Sequence, residues 1–152
     1  MFFIQKTKLT KTVQKILNNK PVHIFSTNTS TSVLEALEVM TEKNVSALLA
    51  MQEEKLLGIF TERDYARKIV LQGKSSKNTA ISEVMSSSLI TVTPTDSIEL
   101  CMETMTNKHI RHLPVVIEEE KVVGMVSIGD VVKFIIADQK ETIFQLESYI
   151  NS

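Results

Sequence analysis

The sequence predicts a mixed α/β (α+β) fold in which one small β-α-β-β-α unit is used twice. Three observations predict it: an internal repeat, a hydrophobic period that switches between helix-like and strand-like spacing, and turn residues at the switches. Setting Val33 against Ile98 places residues 33–54 beside 98–119 and, after skipping Glu120, residues 55–66 beside 121–132. Identities fall at Glu38/Glu103, Met40/Met105, Thr41/Thr106, Lys43/Lys108, Leu48/Leu113, Glu53/Glu118, Glu54/Glu119, Lys55/Lys121, Gly58/Gly124 and Asp64/Asp130. Other pairs keep their character, such as Val45/Ile110, Leu57/Val123 and Thr61/Ser127.

Each copy opens with an extended run, Val22–Ser26 or Leu89–Thr93. Turn and cap residues follow, 29–32 or 94–97, rich in Ser, Thr, Asp and Pro. Val33, Leu37 and Met40, and likewise Ile98, Met102 and Met105, then repeat at i, i+4, i+7, the spacing of one helix face. Two apolar strands come next, Ala47–Met51 with Leu56–Phe60 and Leu113–Ile117 with Val122–Val126. The charged link between them has hairpin length. A last helix opens at Thr61 or Ser127.

The predicted organisation is a leading segment and helix over 1–20, a first repeat over 21–72 and a polar linker over 73–80. A second repeat covers 81–137, and an extension of its helix covers 138–152. The leading helix is expected over 7–19, and the last from about Gly129 to Ile150, since no Gly or Pro interrupts it. One repeat is small to bury a core, so the two are expected to pack together with pseudo-twofold symmetry. Ile143, Phe144, Leu146 and Ile150 exceed what a small repeat can cover. They call for the leading helix or a second subunit as partner.

Composition narrows the function classes. The 152 residues are 43% hydrophobic and 23% charged with net charge −1, which speaks against nucleic acid or an anionic membrane as main partner. Cys101 is the single cysteine, so neither an intramolecular disulfide nor a cysteine zinc site can form; it reads as a buried small hydrophobe. His23 and His109 have no metal-ligand spacing. The apolar start, residues 1–4, is too short for a signal core or a membrane span, and a cytoplasmic location is expected. With four glycines there is no P-loop, dinucleotide fingerprint or nucleophile elbow, and no nucleophile–base pair, so no enzyme activity is expected.

Four segments carry a resemblance: Gly58-Ile-Phe-Thr-Glu-Arg-Asp64, Gly124-Met-Val-Ser-Ile-Gly-Asp130, Ile110-Arg-His-Leu-Pro-Val115 and Thr91-Val-Thr-Pro-Thr-Asp96. The chain resembles CBS-domain proteins, and its tandem pair looks like a Bateman module over roughly residues 9–137. It is similar to two-repeat proteins of bacteria and plant organelles that carry no attached enzyme. The resemblance implies a non-catalytic regulatory module, a homodimer, that binds AMP, ADP, ATP or NADH between its repeats and signals to a regulated protein. S-adenosylmethionine is the alternative ligand; a scaffold with vestigial pockets is the alternative role.

The resemblance also implies site residues. Ser127 and Asp130 would hold ribose hydroxyls, as would Thr61 and Asp64 in the first copy. A hydroxyl followed three residues later by an acid equally reads as a helix capping box, and both roles can coexist. Arg111 and His112 would meet phosphates, with a solvated Arg and a core His as the plainer reading. The first copy has Ser46-Ala47 there, so the second site is expected to be the tighter one for charged nucleotides. Arg63 and Arg67, at i, i+4, are further phosphate candidates or else an exposed charged face. Ile90, Val92, Met125 and the Leu113-Pro114 edge are candidates for the adenine slot, although such residues are more often core.

Overall fold

The computed structural model describes residues 11–20 and 24–151. Residues 7–10 of the expected leading helix, and Val22 and His23, lie outside them. The elements run α1 (Val13–Asn18), β1 (Ser26–Asn28), α2 (Val33–Lys43), β2 (Ala47–Gln52) and β3 (Lys55–Thr61). A single α-turn, α3 (Glu62–Asp64), continues into a π-helical segment, Tyr65–Val70. After a 3₁₀ turn, Ile81–Glu83, come α4 (Ile98–Lys108), β4 (His112–Ile117), β5 (Lys121–Ser127) and α5 (Ile128–Asn151). The mixed fold matches the sequence expectation, and from the first helix of each copy onward so does the order of elements. Among the described residues no helix is long and apolar enough to cross a membrane.

The described chain divides into two compact units, residues 24–91 with 116–123 and residues 11–20 with 92–115 and 124–151. This partition differs from the order of the repeats. Residues ahead of copy one are built into the unit that holds α4 and α5: Val13 N–H donates to the Asp96 carbonyl at 2.9 Å, and Ile98 N–H to the Lys11 carbonyl at 3.1 Å. Residues that head copy two are built into the unit that holds α2: Val33 N–H donates to Thr79 and Ile81 N–H to Thr31, each at 2.9 Å.

The same local chemistry shapes both copies. Ser32 caps α2 by accepting from Glu35 N–H, and Ser97 caps α4 by accepting from Leu100 N–H. Both helices end on a left-handed residue, Asn44 at φ 55° and His109 at φ 55°. In the first unit β2 pairs with β3 in antiparallel fashion through a two-residue turn. Glu53 and Glu54 there take φ 51° and 66°, the positive values that match hairpin twist. Val33, Ala36 and Met40 of α2 close over Leu48, Ala50 and Phe60, with Ile69, Ile81 and Val84 completing the core.

The opening strands differ from expectation. In copy one the strand forms a little later, at Ser26–Asn28, and pairs in parallel with β2, Thr27 opposite Ala50. In copy two the expected strand Leu89–Thr93 reduces to an isolated bridge, Val92 with Val115. Proline is the reason. Leu49 N–H donates to the Phe25 carbonyl at 3.1 Å, and its counterpart Pro114 has no N–H to donate.

The two repeated glycines are sites of close packing. A Cβ on Gly124 would meet Leu17 Cδ2 of α1 at 2.7 Å. A Cβ on Gly58 would meet Met85 Sδ at 2.5 Å and the Ser86 carbonyl at 3.0 Å. The close approach that glycine permits is therefore made by the exchanged segment.

Candidate ligand site

Each Asp sits on the first turn of the helix that follows its hairpin. In copy one Thr61 and Asp64 form a complete capping box: Asp64 N–H donates to Thr61 Oγ1 at 3.1 Å, and Thr61 N–H to Asp64 Oδ2 at 3.0 Å. In copy two Asp130 N–H donates to Ser127 Oγ at 3.1 Å and Ser127 N–H to Asp130 Oδ2 at 2.9 Å. The capping reading thus holds in both copies. What separates them is the second carboxylate oxygen.

Asp64 is 8% exposed. Its Oδ1 accepts from Lys68 Nζ at 3.1 Å and lies 3.4 Å from Ser86 Oγ, while Lys68 also donates to the Val84 carbonyl. Both oxygens are therefore engaged from within the first unit. Asp130 places its contacts on Oδ2, which accepts from Ser127 N–H and from Lys20 Nζ at 2.8 Å. Its Oδ1 accepts no hydrogen bond from the described residues, and its side chain keeps 19% exposure. Lys20 also donates to the Met125 carbonyl at 2.9 Å, which fixes the ammonium over the end of β5. Burial alone would push the Asp130 carboxyl up, but Lys20 and Ser127 outweigh it and hold the acid below its ordinary 3.8.

Arg111 and His112 reach the same place through the backbone. Ile128 N–H donates to the Arg111 carbonyl at 2.9 Å, tying the start of β4 to the start of α5. Arg111 is exposed and His112 half-buried. Burial holds the His112 imidazole below its ordinary 6.5; Asp130 draws it up, and Arg111 and Lys20 push it down. One carboxylate thus shares its surroundings with a lysine, an arginine and a neutral imidazole.

The second unit also contains Val92, Leu113, Pro114 and Met125. The first three are closed into the core, and Met125 stays half-buried. Thr61, Arg63, Asp64, Arg67 and Ile90 belong to the first unit. Arg63 and Arg67 are exposed, on a segment that is not a regular α-helix. The chain turns π-helical at Tyr65, with Leu71 N–H donating to the Ala66 carbonyl five residues back.

The sequence reading missed Lys20. Nothing local marks it, since its partner lies 110 residues away. Lys68 had a local signal in its i, i+4 spacing from Asp64.

The family model for the CBS domain matches residues 13–71 and 81–137. The chain belongs to the CBS-domain family. Its two CBS repeats are 43% identical over 127 residues to the mitochondrial CBS domain-containing protein CBSX3 of Arabidopsis thaliana, covering 80% of this chain and 61% of that one. The chain thus spans about three fifths of that relative. It is 30% identical over 118 residues to the CBS domain-containing protein YhcV of Bacillus subtilis, covering 78% and 83%. Among solved structures, a putative signal-transduction protein with CBS domains from Burkholderia ambifaria aligns with TM-score 0.81 and 44% identity, covering 84% of this chain and 96% of that one. The CBS domain pair of protein MJ0100, in complex with 5′-methylthioadenosine and S-adenosyl-L-methionine, aligns with TM-score 0.74 and 28% identity over 84% and 97%. CBS pairs of this kind are regulatory ligand-binding modules.

Proposed function

We propose that this protein is a non-catalytic sensor that binds an adenosine-containing nucleotide at Asp130 and reports occupancy to a partner protein. The open Oδ1 of Asp130, beside an Asp64 whose two oxygens are both engaged, carries the reading. A ribose diol needs a carboxylate with a free acceptor, and only the second copy offers one among the described residues. Ser127 Oγ adds a hydroxyl on the same helix turn. Arg111, His112 and the remaining donor of Lys20 would meet phosphates, which favours AMP, ADP, ATP or NADH. Met125 is the partly exposed apolar neighbour for the base. The repeat boundaries 21–72 and 81–137, the homodimer and the cytoplasmic location belong to the same reading.

The MJ0100 complex supports adenosyl ligands as a class and keeps S-adenosylmethionine as a second reading. Calorimetric titration with AMP, ADP, ATP, NADH, 5′-methylthioadenosine and S-adenosylmethionine separates them. Asp130→Asn should abolish binding, and Asp64→Asn should leave it. Arg111→Ala should weaken the phosphorylated ligands and spare the sulfur-containing ones. Loss of binding in Asp64→Asn with retention in Asp130→Asn would sink the assignment; silence across the panel would leave a scaffold.

A further inference from the structure

The surroundings of Asp130 include a cation that the repeat does not duplicate. Val13 N–H donates to the Asp96 carbonyl and Ile81 N–H to the Thr31 carbonyl, each at 2.9 Å, so the two leading segments align with Val13 opposite Ile81. This alignment sets a neutral residue, Ser88, opposite Lys20.

The ammonium of Lys20 is held at two points. Nζ donates to Asp130 Oδ2 at 2.8 Å and to the Met125 carbonyl at 2.9 Å, on a half-buried side chain. Leu17, on the same segment, packs over Gly124 and fixes the backbone that carries the lysine. An ammonium has three N–H donors, so one remains for a ligand. Ordering this long side chain is already done in the protein, and a ligand does not bear that entropy loss.

Charge then discriminates among adenosyl ligands. With the ribose diol on Asp130, such ligands differ at ribose C5′: a hydroxyl in adenosine, a phosphate in AMP, a neutral thioether in 5′-methylthioadenosine, a sulfonium in S-adenosylmethionine. Lys20 and Arg111 set two cations against one carboxylate, and His112 is neutral at neutral pH because burial holds its imidazole below 6.5. The excess is positive. Arg111 is exposed and screened by water, whereas Lys20 is fixed and half-buried, so Lys20 carries the larger share.

We infer that Lys20 sets the charge preference of the Asp130 site, selecting adenosyl ligands with an anionic C5′ substituent and rejecting a sulfonium. This rests on the sensor reading above and narrows its ligand class.

Calorimetric titration of the full chain with adenosine, AMP, 5′-methylthioadenosine and S-adenosylmethionine tests it. The wild type should bind AMP about tenfold or more tighter than adenosine, and 5′-methylthioadenosine tighter than S-adenosylmethionine. Lys20→Gln keeps a donor and removes the charge. It should erase most of both preferences while adenosine affinity stays within about threefold, and Lys20→Arg should retain them. Comparing ligands within one preparation makes the preference independent of any loss of folded protein. Equal weakening of adenosine and AMP in Lys20→Gln would overturn the inference and leave Lys20 as a support for Asp130 alone. Preferences unchanged in Lys20→Gln would overturn it and pass selection to Arg111. A wild type that prefers S-adenosylmethionine to 5′-methylthioadenosine would overturn it too. A wild type silent to all four ligands would sink the sensor reading itself, and the inference with it.

Discussion

Lys20 Nζ lies 2.8 Å from Asp130 Oδ2, an ion pair between the segment ahead of the first repeat and the last helix of the second. It takes one carboxylate oxygen, and the other accepts no hydrogen bond from the described residues. It also ties the exchanged segment to β5 through the Met125 carbonyl. One residue therefore serves both the stability of its unit and the electrostatics of the candidate site.

Lys20→Met should destabilise the protein by about 1–2 kcal/mol, the range for a half-buried charge-assisted hydrogen bond. Urea unfolding would measure it. The effect should depend on acid in a defined direction. Asp130 has its folded pKa below 3.8, so its contribution is fully present above about 3.8 and is lost as pH falls through the lower folded value. The gap between wild type and Lys20→Met should therefore narrow in strong acid. A constant gap down to the acid transition would argue against the pairing.

His112 titrates the other way. Its folded pKa lies below 6.5, so the unfolded chain takes up its proton first as pH falls. This group should cost the folded state stability below about pH 6.5, levelling off below the folded pKa. His112→Gln should remove that part of the pH dependence. Nuclear magnetic resonance of the imidazole should show a low pKa that rises when AMP is added, because a phosphate favours the imidazolium. An imidazole that titrates at 6.5 with and without ligand would contradict both statements.

The two glycines should tolerate alanine unequally. Gly124→Ala meets only the end of the Leu17 side chain, which can turn aside, and should cost about 1 kcal/mol. Gly58→Ala meets Met85 and the Ser86 carbonyl, a backbone atom, and should cost about 2–3 kcal/mol. Thermal unfolding of both variants decides the order; Leu17→Ala should relieve the first and have no effect on the second.

Cys101 is fully buried, and burial, followed by the nearby charge of Asp96, pushes its thiol up to about 11. It should resist alkylation at neutral pH until the protein unfolds. Mass spectrometry after iodoacetamide treatment, with and without urea, would show it. Rapid labelling of the folded protein would place Cys101 in a more open setting than its helix provides.

The sequence by itself determined the elements that depend on local chemistry. Apolar spacing placed α2 and α4, serine placed their caps, and the repeated hydroxyl and aspartate placed the two helix openings, because each rests on contacts within a few residues. Pro114 was visible too, and its missing donor accounts for the lost strand of copy two. The tertiary structure alone decided which leading segment joins which unit, since hydrogen bonds such as Ile98 to Lys11 connect residues with no local signal. It alone brought Lys20 to Asp130 and Ser86 to Asp64. The two aspartates read alike in sequence; they differ because Lys68 and Ser86 occupy the second oxygen of Asp64, whereas Lys20 joins Ser127 on Oδ2 of Asp130, whose Oδ1 accepts no hydrogen bond from the described residues.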